Sequence, residues 1–131
     1  MKLIDEKLLN LVSEQAENNS RLRKNYNLHK THEDAVQRLL NALEPGTEIP
    51  VHRHPAKEET FIVIRGSLRL NLYNESKEIT QCIELDPGEG KYGITIPAGI
   101  WHNIDVHEKG TIIFEVKEGP FVPIDNKDIL E

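Results

Sequence analysis

A His-Arg-His tripeptide at residues 52–54 is the feature that most constrains how this chain can fold. Side chains two residues apart point to the same face of an extended strand, so His52 and His54 can enter one cavity while Arg53 faces away. Residues 55–58 then predict a turn that returns Glu59 to that cavity. His102, which follows a Pro-Ala-Gly turn at residues 97–99, supplies a third imidazole.

These side chains suit a transition-metal site. Three imidazoles and one carboxylate form a coordination shell for one divalent ion per chain, such as Zn, Fe, Mn or Ni. The absence of sulfur donors argues against a structural zinc knot. The sequence therefore predicts the metal ligands His52, His54, Glu59 and His102.

The rest of the pattern is dominated by short strands. Residues 5–18 predict an amphipathic helix with Asp5 as N-cap. From residue 60 onward, strand-like segments of three to eight residues are separated by turns, and residues 68–73 alternate with a period of two. Many short strands at this spacing predict a closed barrel or jelly roll. The single Cys82 is expected to pack within a strand.

Composition limits the partners. A net charge of −6 argues against nucleic-acid binding, which depends on neutralising phosphates. No apolar run reaches the roughly 20 residues that span a bilayer, so no membrane association is expected. The early acidic residues do not fit a secretory signal, and one cysteine fits a reducing compartment. We therefore expect a cytoplasmic protein with one domain.

The spacing of the ligands resembles the cupin superfamily. Its first signature, Gly-x5-His-x-His-x4-Glu-x6-Gly, is matched without a gap from Gly46 to Gly66. The second signature is matched in part, because its Pro, Gly and His fall on residues 97, 99 and 102, whereas Lys91 and Val106 replace its first Gly and its Asn. The resemblance implies an all-β single cupin, a double-stranded β-helix or jelly-roll barrel, with a short N-terminal helix. Residues 1–34 would form a helix and arm packed on a barrel of residues 35–131.

A narrower resemblance concerns residues 37–46, 52–55, 59–61, 65–66, 101–102 and 115–120. These segments are similar to the WbuC-type cupin-fold metalloproteins, which are associated with bacterial surface-polysaccharide gene clusters of O-antigen type. Residues 35–44 have strong helix propensity, but the gapless cupin spacing favours a strand over residues 37–43.

Several residues outside the ligand set are candidate substrate contacts. Residues 21–29 form a basic stretch, which is either a solvated extended arm or an arm that folds over the cavity and offers Arg21 or Arg23 to an anion. His29, Arg38 and Trp101 are further candidates, although packing of the barrel rim is the favoured role of Trp101.

The ligand set supports more than one function. The leading hypothesis is a metal-binding cupin that acts on a small sugar-derived or anionic metabolite in surface-polysaccharide biosynthesis. A metal-dependent isomerase or lyase would fit it. One alternative is an Fe-dependent dioxygenase, and another is a non-catalytic protein that senses a metabolite or metal. Strand residues 60–64, which are apolar on both faces, predict a homodimer.

Overall fold

The structure, a computed structural model, describes residues 1–130 and consists of two antiparallel β-sheets with one helix packed on the first of them. The predicted N-terminal helix is confirmed as α1 (Glu6–Glu17), and the Asp5 side chain accepts a hydrogen bond from the Leu8 amide at its N-terminus. Within residues 1–130, no helix combines the length and the apolar character that a membrane span requires.

The first sheet has the order β1-β2-β9-β4-β7. Its strands are β1 (Arg23–Asn27), β2 (Val36–Leu43), β4 (Glu59–Arg65), β7 (Gly93–Ile96) and β9 (Thr111–Glu118). The strand predicted over residues 37–43 is confirmed as β2, which pairs with β1 on one side and β9 on the other. Pairing on both edges therefore overrides the helix propensity of this segment.

The second sheet has the order β10-β3-β8-β5-β6. Its strands are β3 (Val51–His52), β5 (Leu68–Tyr73), β6 (Ile79–Leu85), β8 (Trp101–Asp105) and β10 (Ile129–Leu130). Short 3-10 turns occur at Pro87–Glu89 and Asn126–Asp128. Cys82 lies on a strand, β6, as predicted, but it is exposed, so the predicted packing role is wrong, because its side of the strand faces outward.

Two apolar clusters hold the fold together. The larger one lies between the sheets and includes Phe61, Leu70 and Ile113. The smaller one lies between α1 and the outer face of the first sheet, where Val12 packs with Ile112. The sheets therefore enclose an interior that is apolar at one end, and the predicted metal ligands lie at the other end.

Candidate metal centre

The predicted ligands converge from both sheets. His52 on β3 pairs directly with His102 on β8, so the second sheet presents two imidazoles side by side. Glu59 begins β4 in the first sheet, opposite Lys117 on β9. Phe61, two residues after Glu59 on β4, lies in the core between the sheets. Because side chains two residues apart on a strand share a face, the Glu59 side chain also points inward.

A tight turn brings His54 into the same cluster. The Gly99 amide donates a hydrogen bond of 2.8 Å to the His54 carbonyl, which joins the segment after β3 to the turn before β8. Gly99 has a φ of +83°, a backbone conformation that residues with a side chain rarely adopt. The glycine of the second cupin signature therefore has a local structural role.

The four side chains could hold a metal ion. One ligand atom from each of His52, His54, Glu59 and His102 lies within 4.8 Å of the others. Glu59 and His102 are buried, while His52 and His54 are half-buried. The centroids of the His52 and His102 rings are 4.4 Å apart. This nitrogen and oxygen donor set is one that divalent transition metals bind in proteins.

The hydrogen bonds of the imidazoles orient them for coordination. Nδ1 of His52 lies 2.8 Å from the Pro50 carbonyl, and Nδ1 of His102 lies 2.9 Å from the Ile100 carbonyl. Because a carbonyl only accepts, each Nδ1 carries the proton and donates it. In the neutral tautomer, Nε2 therefore keeps a lone pair, as in metal-bound histidines whose other nitrogen donates to a backbone carbonyl.

The contact between His102 and Glu59 tests whether a metal fits. Nε2 of His102 lies 3.1 Å from Oε1 of Glu59, and Nε2 of His54 lies 3.5 Å from Oε2. A lone pair facing a carboxylate at 3.1 Å is repulsive unless a positive charge lies between them or on the ring. A cation bound by both groups satisfies this contact, so the residues fit a metal.

Burial sets the protonation states that a metal requires. Burial lowers the pKa of His52 and lowers the pKa of His54 to about 4. Burial opposes ionisation of Glu59, but the His102 and His54 rings, when they are protonated, donate to and attract its carboxylate, and this holds the pKa of Glu59 below the usual range. His52 and His54 are thus neutral and Glu59 is ionised near pH 7, as metal ligands must be.

The arginines of the basic stretch lie apart from this cluster. Arg21 is exposed. Arg23 pairs with Leu43 at the end of β2 that is remote from Glu59, and its Nη1 donates to the Glu48 carbonyl at 2.7 Å. The structure does not bring either guanidinium together with the four predicted ligands, and a substrate contact by either residue stays a prediction.

The other predicted substrate contacts, His29, Arg38 and Trp101, make contacts within the fold. The Arg38 amide donates to Nδ1 of buried His29 at 3.0 Å, which fastens the segment after β1 to β2. Trp101 is buried on the outward face of the second sheet, where the Arg53 guanidinium lies 4.4 Å from its ring. Trp101 and its neighbour His102 therefore point to opposite faces.

A cavity of about 280 Å³ opens beside the cluster. His54 and Lys117 line it, and residues 122–125 and 127–128 near the C-terminus cover it. The sequence alone did not predict which face of its strand Lys117 occupies. Ile113, four residues earlier on β9, lies on the same face and is in the core. The sequence pattern did not single out Glu115, which shares that face, or buried Asp128, whose segment shows no periodicity.

Comparison with known proteins gives a family and a fold. A family model described as "Domain of unknown function (DUF6016)" matches residues 4–85. No curated protein matches the sequence. Among solved structures, the Schizosaccharomyces pombe Cnp3 cupin domain aligns with a TM-score of 0.59 and 14% identity, and the alignment covers 73% of this chain and 64% of that one.

Two further structures extend the comparison. A cupin-2 domain protein from Shewanella frigidimarina aligns with a TM-score of 0.54 and 22% identity, over 72% of this chain and 78% of that one. The Lactobacillus farciminis oxalate decarboxylase in a formate complex aligns with a TM-score of 0.54 and 19% identity, over 67% of this chain and 25% of that one. The predicted fold, a single cupin with a short helix, is confirmed.

Proposed function

We propose that this chain, which belongs to the family described as "Domain of unknown function (DUF6016)", binds one divalent transition metal and acts on a small metabolite at that metal. The ligands are His52, His54, Glu59 and His102. A bound metal would act as a Lewis acid toward an oxygen of the metabolite or, if it is Fe, would support redox chemistry.

One observation carries this proposal. Nε2 of His102 lies 3.1 Å from the Glu59 carboxylate, while the other ring nitrogen is engaged with a backbone carbonyl. The two facing groups need a shared cation, and two more imidazoles complete the cluster around it. A proton on His102 is the other cation that would satisfy this contact, and metal analysis separates the two.

The substrate class and setting form the finer part of the proposal. We place the protein in bacterial surface-polysaccharide biosynthesis, in the cytoplasm, with a small sugar-derived or anionic substrate. The resemblance to WbuC-type cupins supports the pathway. The oxalate decarboxylase of Lactobacillus farciminis, which shares this fold, forms a complex with formate, and this supports a small anion as ligand. We also propose that two copies of the chain form a homodimer.

Elemental analysis of untagged protein tests the metal. We expect about one Fe, Mn, Ni or Zn per chain, because four preoriented donors bind one divalent ion. Fe would favour the dioxygenase alternative, and Zn would favour Lewis-acid chemistry.

A substitution then tests the ligand set. His54→Ala should abolish stoichiometric metal and leave the β-sheet circular dichroism spectrum intact. His107→Ala, which removes an exposed imidazole, is the matched control and should retain the metal. Full metal retention by His54→Ala, or wild-type protein that stays folded and refuses added metal, would refute the proposal.

A further inference from the structure

The cavity beside the candidate metal centre has walls of two kinds. His54 and Lys117 form the side next to the metal ligands. The C-terminal segment forms the roof, where Val122, Pro123 and Ile124 present apolar side chains. At about 280 Å³, the cavity lies at the lower limit of ordinary ligand pockets, so it suits a small metabolite.

Several charged groups around the cavity already have partners, and Lys127 is exposed to solvent. Nε of Arg53 donates to Oδ1 of buried Asp128 at 2.9 Å. Asp125 accepts a hydrogen bond from the Lys127 amide, and Lys57 donates to the Pro120 carbonyl. These contacts fasten the roof, and the Arg53–Asp128 pair adds no net charge.

Lys117 differs from these groups. Within residues 1–130 its ammonium has no carboxylate within 4.0 Å and makes no hydrogen bond. It is half-buried on the inward side of β9, opposite Glu59. A half-buried ammonium that has carboxylates nearby but no direct ion pair is costly, and a bound anion would offset that cost.

A metal ion bound by these residues would add positive charge next to Lys117 and would favour a bound anion more strongly. Glu59 is the one carboxylate in the ligand set, and even with Glu115 ionised on the same face of β9, two carboxylates cannot balance both a divalent ion and the ammonium of Lys117. The site therefore keeps a net positive charge in a partly desolvated cavity, where charge interactions are stronger than in water.

The shape of the donors favours a carboxylate over a phosphate. Proteins commonly bind phosphate with a guanidinium fork or with the N-terminus of a helix. The Arg53 guanidinium is engaged with Asp128 and stacked on Trp101. A single ammonium facing an apolar roof matches one carboxylate on a short carbon chain.

We infer that the cavity binds a small monocarboxylate with a short apolar chain, whose carboxylate pairs with Lys117 and whose chain contacts Val122, Pro123 and Ile124. This inference rests on the proposed function, because the ligand would lie beside the bound metal. It names the substrate class of that site and assigns Lys117 as a binding residue.

Calorimetric titration of the metal-loaded protein tests the inference with butyrate as the probe. Butyramide has the same chain without the charge, and inorganic phosphate has the charge without the chain. We expect butyrate to bind more tightly than either. Lys117→Met should weaken butyrate binding about tenfold or more, since a charge-assisted hydrogen bond is lost, and Lys117→Arg should restore most of it.

Controls separate this inference from the proposed function. Lys91→Met removes an exposed ammonium elsewhere and should leave butyrate binding unchanged. The metal content of every variant is measured in parallel, and a wild-type protein without metal would refute the proposed function. Full metal content combined with no butyrate binding, with equal binding by Lys117→Met, or with tighter phosphate binding would overturn the carboxylate site.

Discussion

Glu115 is a half-buried carboxyl on the inward side of β9, two residues before Lys117. Its Oε1 accepts a hydrogen bond of 3.4 Å from Nδ2 of Asn41. Burial, followed by the negative charge of Glu59, raises the pKa of Glu115 to about 7. At a pH between 4.5, the ordinary pKa of a glutamate, and about 7, Glu115 keeps its proton in the folded metal-free chain and loses it in the unfolded chain. The free energy of unfolding therefore falls as the pH rises through this range.

Glu115→Gln should remove that penalty, because the amide resembles the protonated acid. In metal-free protein we expect the substitution to raise the unfolding free energy by roughly 1–2 kcal/mol at pH 8, less than the full linkage value because the carboxylate is partly solvated. Near pH 4.5 the gain should vanish. Urea unfolding in chelator at both pH values measures this, with exposed Glu118→Gln as control. An equal effect at both pH values would contradict the assigned shift.

The sequence predicted that His52, His54, Glu59 and His102 come together because their spacing is local and periodic. His52 and His54 share a strand face by parity alone, and the turn at residues 97–99 precedes His102 directly. Glu115 escaped notice because its raised pKa depends on burial and on the charge of Glu59, which lies on another strand. Distant pairing cannot be derived from the pattern of one strand, and the same limit applies to Asp128.

At the scale of elements, α1 is held to the first sheet by one apolar face. Leu9, Val12 and Ala16 lie on this face and pack against residues of β2 and β9. Their spacing places them on one side of the helix. Leu11 points away and keeps 48% of its surface exposed. The helix is therefore fastened to the outer sheet face through few side chains.

Leu9→Ala should destabilise the protein by about 2–3 kcal/mol, because a buried leucine is lost and a cavity remains. Leu11→Ala on the same helix should cost less than about 0.5 kcal/mol. Urea unfolding of both variants gives the comparison, with metal content as a second readout. Similar losses in the two variants would show that α1 does not dock through this face.

Strands with a clear alternation of apolar and polar residues were predicted correctly, whereas features that depend on how strands and helix pack together were not. The alternation in residues 68–73 is confirmed as β5. β10, only two residues long, has no pattern of its own and is defined by pairing with β3. β4 was expected to be covered on both sides, but Ile62 and Ile64 are 43% and 40% exposed. The helix packs beside these residues and leaves them uncovered.

At the scale of the whole molecule, the uncovered face of β4 supports the predicted homodimer. Ile62 and Ile64 share the outward side of this strand, and Tyr92 nearby is 59% exposed. Apolar side chains clustered on a sheet face mark surfaces of association, and identical chains pair most often about a two-fold axis. Burying this face against a second copy would give β4 the cover that its sequence predicts.

Light scattering tests this assembly directly. We expect about 30 kDa, twice the chain mass of 15.0 kDa. The double substitution Ile62→Lys with Ile64→Lys should shift the mass to that of one chain, because buried ammonium groups oppose association. Ile79→Lys, which alters an exposed isoleucine on β6, should leave the mass unchanged. Wild-type protein at 15.0 kDa would contradict the dimer, whereas a dimer that survives the double substitution would move the interface to another face.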